Sequence, residues 1–235
     1  MPDTTDADRL NSYLLNLYGG DPFAAVYEAS EAHRRQHATV LAGGEQECGV
    51  YPSDPLKMRL LATLVKALGA RRALEIGGGL GCSALWLADA MGMAGQLETI
   101  DRFAEHVELT DRFAEQYDLA GRIVAIHGEA EDVLKSLTGP YDLIHDDGWF
   151  GEQPAYYDRM VEVLRPGGLL IMSNWFLLEQ AFRESPDVGW AQFAGAHWRD
   201  RVRAYAEALA SDSRLHVSFS IRPAWVGLGY KRADA

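Results

Sequence analysis

The stretch 73-ALEIGGGLGCS-83 joins a short apolar run to a glycine-rich turn and then to the start of a helical pattern. Its glycines stand at positions 77, 78, 79 and 81. Because glycine has no Cβ, it tolerates tight turns and lets a ligand approach the backbone closely. A turn of this kind between a strand and a helix is typical of nucleotide-binding βα units. We therefore predict a strand at 73–76, a ligand-binding turn, and a helix at 82–91.

The spacing of these glycines leaves the class of nucleotide open. Counted from Gly77, the sixth place of the dinucleotide pattern GxGxxG is Cys82. Counted from Gly79, the third place is Gly81 and the sixth is Ala84, which is a tolerated variant. An NAD site therefore stays open on spacing alone.

An acidic residue follows the next apolar run of the chain. Asp101 comes directly after the run 96–100 and roughly 20 residues after the glycine turn, where a carboxylate can accept both ribose hydroxyls of an adenosine ligand. This role is the same for NAD and for other adenosine cofactors. We predict that Asp101 binds the ribose; the alternative is that it caps a helix beginning near Phe103.

Outward from this unit, short apolar runs alternate with helical segments, a pattern typical of a mostly parallel sheet. The predicted strands lie at 73–76, 96–100, 123–127, 141–146 and 169–172. The predicted helices of this part lie at 82–91, 103–117, 130–137, 152–164 and about 198–209. Two further alternating runs, 215–221 and 225–230, are separated only by residues 222–224, which predicts a hairpin and an antiparallel strand.

Residues 1–69 have helical spacing that glycine and proline interrupt. We predict helices at 6–18, 21–41 and 53–68, the last with Ser53 as its N-cap. His33 and His37 lie four residues apart on the second helix and are interpreted as surface residues. The chain is expected to be one domain, 1–235, with an N-terminal helical cap at 1–69 and an α/β core at 70–235.

Composition and charge restrict the partners. The 235 residues are 48% hydrophobic and carry a net charge of −12, which disfavours binding to a nucleic acid backbone. No apolar run reaches the roughly 18 residues of a membrane span, and Cys48 and Cys82 are too few for a disulfide framework. We expect a cytoplasmic protein with reduced thiols that acts on a small molecule without nucleic acid or membrane partners. A homodimer is left open.

Several motifs also occur in a characteristic order. They are Glu75-Ile-Gly77, Gly81, Ser83, Asp101, Gly128-Glu129-Ala130, Tyr141-Asp142-Leu143-Ile144 with Asp147, and Gly167-Gly168 with Asn174. This order resembles the catechol and caffeoyl-CoA O-methyltransferase family over about residues 49–232. The resemblance implies the Rossmann-like class I fold, a seven-stranded and mostly parallel sheet of order 3-2-1-4-5-7-6 whose seventh strand is antiparallel. It also implies transfer of a methyl group from S-adenosylmethionine to a small acceptor, above all to a hydroxyl.

The resemblance further implies a set of cofactor-binding residues. Glu75, Gly77, Gly79, Gly81 and Ser83 would line the methionine and sugar, Asp101 the ribose, Glu129 and Ala130 the adenine, and Trp149 would shield the adenine ring. Two of these residues have simpler interpretations. Trp149 is also consistent with a loop aromatic that covers the sheet, and Glu129 with a helix N-terminal charge.

The sequence departs from the family where a divalent cation is usually held. The family has an aspartate after the fourth strand and an Asp-Asn pair after the fifth; here these positions are Asp147 and Ser173-Asn174. Asp147 and Asn174 are the candidate magnesium ligands, and Asp147 is the candidate catalytic residue. Phe150 stands where the family has its general-base lysine. Any metal is therefore expected to be weakly held.

The strand residues before Asp147 offer substitutes. Since neighbours in a strand face opposite sides, His145 shares a face with Asp147 while Asp146 points away. His145 is consistent with a general base or, alternatively, with a buried hydrogen-bonded residue. Two alternatives to the methyltransferase hypothesis are kept, namely an NAD-dependent oxidoreductase and an S-adenosylmethionine-binding protein without catalysis.

Overall fold

The computed structural model describes residues 6–41, 50–148, 153–183, 197–220 and 226–233. Three helices come first: α1 (Asp6–Leu17), α2 (Ala24–Leu41) and α3 (Pro55–Leu68). Alternating strands and helices follow: β1 (Arg72–Ile76), α4 (Cys82–Met91), β2 (Gln96–Asp101), α5 (Ala104–Gln116), β3 (Ile123–His127), α6 (Ala130–Ser136), β4 (Tyr141–Asp146), α7 (Gln153–Val163) and β5 (Leu164–Met172). The last described elements are α8 (Phe176–Phe182), α9 (Trp198–Ser211), β6 (Leu215–Ser220) and β7 (Val226–Lys231).

The strands form one seven-stranded sheet of order β3-β2-β1-β4-β5-β7-β6. The pairs among β1 to β5 are parallel, and β7 is antiparallel to both β5 and β6. The predicted fold class, strand order and antiparallel strand are therefore confirmed. Because the strands β1, β4 and β2 are parallel, their carboxyl ends meet at one edge of the sheet, where ligands of such folds bind.

The sheet is covered on both faces, which explains why its central strands are apolar throughout. Ala73 and Leu74 are neighbours in β1 and belong to two different buried clusters. On the face of Ala73 lie helices α3 and α4, and on the face of Leu74 lie α7 and α9. Side chains at successive positions therefore point to opposite faces of the sheet. The polar residues at the strand ends alternate between the faces in the same way.

Helices α2 and α3 contribute side chains to the same buried cluster as Ala73. Met58, Leu61 and Val65 of α3 are buried together with residues of α4, and the Phe23 ring lies 5.6 Å from the Trp86 ring in an edge-to-face contact. Residues before the first strand therefore pack against the helix that follows the glycine turn. Within the described residues, no helix is long and apolar enough to cross a membrane.

The cap predicted for α3 was wrong by one residue. The N-cap is Asp54, whose Oδ1 accepts hydrogen bonds from the backbone N–H groups of Leu56 at 2.8 Å and Lys57 at 3.1 Å. Asp54 satisfies two amide groups that have no partner within the helix. Ser53, the predicted cap, is thereby left to make a distant contact described below.

The boundary between α7 and β5 also differs from the prediction. The predicted helix 152–164 ends at Val163, and the strand predicted to begin at 169 already begins at Leu164, because Leu164 pairs with Tyr141 of β4. The short helix α8 was not predicted. Residues 221–225 of the predicted hairpin lie outside the described residues.

Candidate functional site

The glycine turn crosses the carboxyl edge of the sheet between β1 and α4. Gly77, Gly79 and Gly81 have φ angles of +83°, +53° and +87°, a region that favours glycine. A Cβ at Gly77 would lie 2.7 Å from the backbone oxygen of Asp147, and one at Gly81 would lie 3.0 Å from Thr110 Cγ2. A Cβ at Gly79 would meet nothing within 4 Å. Two of these glycines therefore allow close packing of the protein, whereas Gly79 borders open space.

The turn is held in place by β2 and by Asp101. The backbone N–H groups of Gly77 and Gly78 both donate to the carbonyl oxygen of Ile100, at 2.9 and 3.1 Å. Gly79 N donates to Asp101 Oδ2 at 2.8 Å. Asp101, at the end of β2, has a side chain that is still 12% exposed. The predicted ribose-binding carboxylate and the predicted ligand turn are thus in direct contact.

Asp101 has a second neighbour that the sequence did not reveal. His106, on the first turns of α5, has its Nδ1 atom 3.0 Å from Asp101 Oδ1, and Phe103 N donates to the same oxygen at 2.9 Å. The N-cap residue of α5 is Phe103, so Asp101 does not cap this helix, and its bond with Phe103 N is a local contact in the turn before α5. The ribose role of Asp101 stays a prediction.

Glu129 and Ala130 lie at the same edge, after β3. Glu129 is the N-cap residue of α6, and its Oε2 atom pairs with Arg102 Nη2 at 3.1 Å. The Glu129 side chain is 60% exposed, and Arg102 is the residue directly after Asp101. This pair extends the rim of the glycine turn toward β3. Trp149, predicted to shield the adenine ring, lies outside the described residues, as does Phe150.

A hydrogen-bonded row of buried side chains runs beneath the turn, across the ends of four strands. Thr99 Oγ1 donates to Glu75 Oε2 at 2.7 Å, and His145 Nδ1 lies 3.0 Å from Glu75 Oε1. His145 Nε2 lies 3.0 Å from Ser173 Oγ. Since a carboxylate only accepts, Nδ1 carries a proton, and in the neutral ring Nε2 accepts from the serine. We call Thr99, Glu75, His145 and Ser173 the buried row.

The buried row changes what Glu75 and His145 can contribute. Glu75, His145 and Ser173 have no exposed surface, and both oxygens of Glu75 are already bonded. Each oxygen keeps a second lone-pair direction, but the role predicted for Glu75, lining the ligand, would require surface that this side chain does not expose. His145 corresponds to the alternative of a buried hydrogen-bonded residue. Ser83 is also largely buried, at the start of α4.

Asp147 and Asn174 come together at the ends of β4 and β5. Asn174 Nδ2 donates to Asp147 Oδ1 at 2.9 Å, and Ser53 Oγ donates to Asp147 Oδ2 at 3.4 Å. Ser53 is 94 residues away in sequence and brings the segment before α3 to the site. No local pattern at Ser53 indicated this contact.

This set of donors does not fit a divalent cation held by the protein alone. Asp147 is its single carboxylate, Asn174 turns its nitrogen toward that carboxylate, and Ser173 is bonded to His145 instead. Across the described ranges, no group of three or more His, Cys, Asp and Glu side chains could hold a metal ion. Magnesium binds through carboxylates and other oxygens, so the candidate ligands supply too few of them.

Asp146 lies on the opposite face of the sheet, as strand alternation predicts. Its Oδ1 accepts hydrogen bonds from the Tyr156 hydroxyl and from Gly148 N, both at 3.2 Å. Complete burial raises the pKa of this carboxyl to about 7, although these hydrogen bonds act in the other direction. Asp146 therefore does not join Asp147 as a ligand.

Two sequence interpretations of other residues can be compared with the structure. Burial, reinforced by the nearby charges of Asp21 and Glu75, raises the pKa of the Cys82 thiol to about 12, so this cysteine stays protonated and inert. Cys48 and the side chain of His37 lie outside the described part. His33 is not a simple surface residue, because its ring lies 5.2 Å from the ring of buried His106.

The chain matches known proteins over most of its length. Residues 52–224 match a family model described as O-methyltransferase. A protein of Mycolicibacterium vanbaalenii that is provisionally named an O-methyltransferase is 35% identical over 163 residues, which are 65% of this chain and 72% of the relative.

Solved structures share the whole fold. The cofactor-bound Rv0187 from MTB superimposes with a TM-score of 0.76 at 25% identity and covers 99% of each chain. The O-methyltransferase TomG from Streptomyces achromogenes, solved in complex with SAM, superimposes with a TM-score of 0.74 at 24% identity, covering 99% of this chain and 100% of its own. At that identity the second likeness supports the fold alone.

Proposed function

The chain belongs to the O-methyltransferase family, and we propose that it binds S-adenosylmethionine at its glycine turn and methylates a hydroxyl of a small acceptor. The observation that carries this proposal is the contact between Gly79 N and Asp101 Oδ2 at 2.8 Å. This contact joins the turn, which borders open space, to a partly exposed carboxylate that can accept hydrogen bonds from ribose hydroxyls. Family membership favours this function over an NAD-dependent oxidoreductase, which no comparison supports.

The remaining cofactor contacts are proposed from position along the same edge. Gly77, Gly79, Gly81 and Ser83 would lie along the methionine and sugar, with Glu75 supporting the turn from below. The adenine would lie toward Glu129 and Ala130, where Arg102 pairs with Glu129. Trp149 is proposed to cover the ring from the segment after β4.

We propose Asp147 as the catalytic residue. When bound, S-adenosylmethionine would supply a methyl group on a sulfonium; the acceptor oxygen would attack the methyl carbon as the carbon–sulfur bond breaks and S-adenosylhomocysteine leaves. Asp147 accepts two hydrogen bonds from within the protein, and a carboxylate offers about four lone-pair directions, so it can also accept one from the acceptor hydroxyl. Holding that oxygen in line with the methyl group would supply most of the rate through proximity and orientation. The hydroxyl proton would pass to Asp147 or to water as the new carbon–oxygen bond forms.

The proposed reaction does not use a protein-held metal, because the donor set described above is short of carboxylates. We therefore expect turnover after dialysis against EDTA to stay within about twofold of the untreated enzyme. Turnover is measured with a labelled methyl donor, and added magnesium serves as the control. Loss of turnover that magnesium restores would contradict the proposal and return Asp147 and Asn174 to the role of ligands.

The acceptor is proposed to be a small molecule, in keeping with the family and with the net charge of −12. A cytoplasmic location is proposed as well, since the two cysteines and the absence of a long apolar run indicated it. The homodimer stays a prediction.

One set of measurements tests which cofactor the chain binds. The purified protein is analysed by mass spectrometry for bound S-adenosylmethionine or S-adenosylhomocysteine and is titrated by calorimetry with S-adenosylhomocysteine and with NADH. Binding of S-adenosylhomocysteine alone is expected, and binding of NADH alone would overturn the proposal. A panel of hydroxyl acceptors then separates an enzyme from a protein that binds the cofactor without catalysis.

A further inference from the structure

The carboxylate of Asp101 is almost fully engaged before any ligand arrives. Gly79 N donates to Oδ2 at 2.8 Å, while Phe103 N and His106 Nδ1 both contact Oδ1, at 2.9 and 3.0 Å. A carboxylate offers about four lone-pair directions, two on each oxygen. Three of them are occupied, so the direction left over is on Oδ2.

His106 is the member of this arrangement that a side-chain change can remove. The other two donors are backbone amides, which every residue except proline supplies. His106 is buried, and its ring contacts the rings of Phe103 at 4.9 Å and His33 at 5.2 Å. Because the Asp101 carboxylate only accepts, the Nδ1 atom must carry the proton and donate. The imidazole thus occupies a direction on Oδ1 that a ligand hydroxyl would otherwise take.

We propose that His106 makes Asp101 a receptor for one ribose hydroxyl instead of two, and that the chain selects its cofactor through this single hydroxyl. The inference rests on the proposed function, since it requires that Asp101 faces the ribose. It revises the expectation that one carboxylate accepts both hydroxyls. His106 acts as a positioning and specificity-determining residue, because it is buried and acts through its contact with Asp101.

The wild-type protein alone tests the main claim. Calorimetry compares S-adenosylhomocysteine with its 2′-deoxy and 3′-deoxy analogues, each of which lacks one ribose hydroxyl. One analogue is expected to bind at least about tenfold more weakly than the parent and the other within about threefold, because only one hydroxyl has a charged acceptor. Equal weakening of both analogues would show that Asp101 accepts both hydroxyls and would overturn the inference.

Two variants of the same position test the part played by His106. His106→Phe keeps a ring in contact with Phe103 and His33 but removes the donor, so Oδ1 becomes available and the difference in affinity between the two analogues should fall to within about threefold. His106→Asn keeps an N–H group near the position of Nδ1 and should preserve the difference. A merely structural histidine would lower all three affinities by the same factor in His106→Phe, which would contradict the proposal.

The outcome for Asp101 itself separates this inference from the proposed function. If Asp101→Asn binds S-adenosylhomocysteine as tightly as the wild type, the ribose does not lie at Asp101 and the proposed site fails. If Asp101→Asn binds weakly but both analogues lose affinity equally in the wild type, only the role of His106 fails. Should His106→Phe not fold, the wild-type comparison and His106→Asn still decide the question.

Discussion

Asp101 has two roles that a substitution must distinguish. It fixes the glycine turn through Gly79 N and, in the proposed function, accepts a ribose hydroxyl. Asp101→Asn keeps the shape and one oxygen but removes the charge. We expect at least a tenfold loss of affinity for S-adenosylhomocysteine by calorimetry, since a hydrogen bond to a charged group contributes roughly 1.5–3 kcal/mol.

A matched control for this change is Asp89→Asn. Asp89 is an exposed residue near the far end of α4, away from the turn. Its replacement should leave the affinity unchanged. Equal affinities for both variants and the wild type would place the ribose elsewhere.

At Gly79, the effect of a side chain on the backbone can be distinguished from its effect on ligand binding. Its φ of +53° disfavours any side chain, yet a Cβ would meet no protein atom within 4 Å. Gly79→Val should therefore abolish cofactor binding, because the new side chain enters the space proposed for the ligand, while the folded structure persists. Binding is measured by calorimetry and folding by thermal unfolding.

Gly69→Val is the control for Gly79→Val, because it introduces the same backbone strain at a position outside the proposed ligand site. Gly69 ends α3 with a φ of +63°, and a Cβ there would also meet nothing within 4 Å. We expect a similar loss of thermal stability in both variants and normal binding in Gly69→Val. If Gly79→Val also binds normally, the turn is not part of the pocket.

The buried row links four strands through side chains as well as through the backbone. Glu75 of β1 has a partner on β2 and a partner on β4. His145→Phe would remove one of the two hydrogen bonds of the buried Glu75 carboxylate, which costs about 1.5–3 kcal/mol for a bond to a charged group. Ser173→Ala removes a neutral hydrogen bond at the end of the row and should cost about 1 kcal/mol.

Urea unfolding of the two variants measures this difference in the free energy of unfolding. Thr99→Val removes the other hydrogen bond of the Glu75 carboxylate and should therefore cost about as much as His145→Phe. A cost for His145→Phe no larger than for Ser173→Ala would show that Glu75 does not depend on the imidazole.

The strands of the row were predictable, but its contacts were not. Alternating apolar runs gave the strands, and the alternation rule correctly put His145 and Asp146 on opposite faces. The partners of His145 come from β1 and from the residue that follows β5, and sequence periodicity carries no information on which buried polar groups meet. The same reason explains why Gly79 and Asp101 were found as motif residues while His106 was missed.

Ser53 shows the limit of local rules most clearly. Either Ser53 or Asp54 could cap α3 by residue type, and the structure selects Asp54 because its carboxylate accepts two amides. The Ser53 hydroxyl contacts Asp147 instead, across 94 residues. The extension of β5 back to Leu164 similarly depends on pairing with β4.

The stability of the whole molecule should depend on pH through Asp146. Burial raises the pKa of this carboxyl from 3.8 to about 7, so the folded chain binds the proton more tightly than the unfolded chain. The stability that this group contributes is present below about pH 4 and is lost as the pH rises through about 7. Asp146→Asn has no such proton and should be more stable than the wild type at pH 8.

Urea unfolding at pH 5 and pH 8 measures this effect as a difference between the two proteins, so that groups common to both cancel. We expect Asp146→Asn to gain at least about 1 kcal/mol over the wild type on going from pH 5 to pH 8. A difference that does not change with pH would mean that Asp146 titrates normally in the folded chain.

The position of β7 has a consequence for how the molecule is completed during synthesis. β7 (Val226–Lys231) lies between β5 and β6, although it follows both of them in sequence. Until residues 226–231 have left the ribosome, one edge of β5 and both edges of β6 lack a partner strand. A chain that stops short of residue 226 would carry these unpaired edges permanently, and edges of this kind pair with other chains. Premature termination should therefore yield aggregates instead of a smaller folded protein.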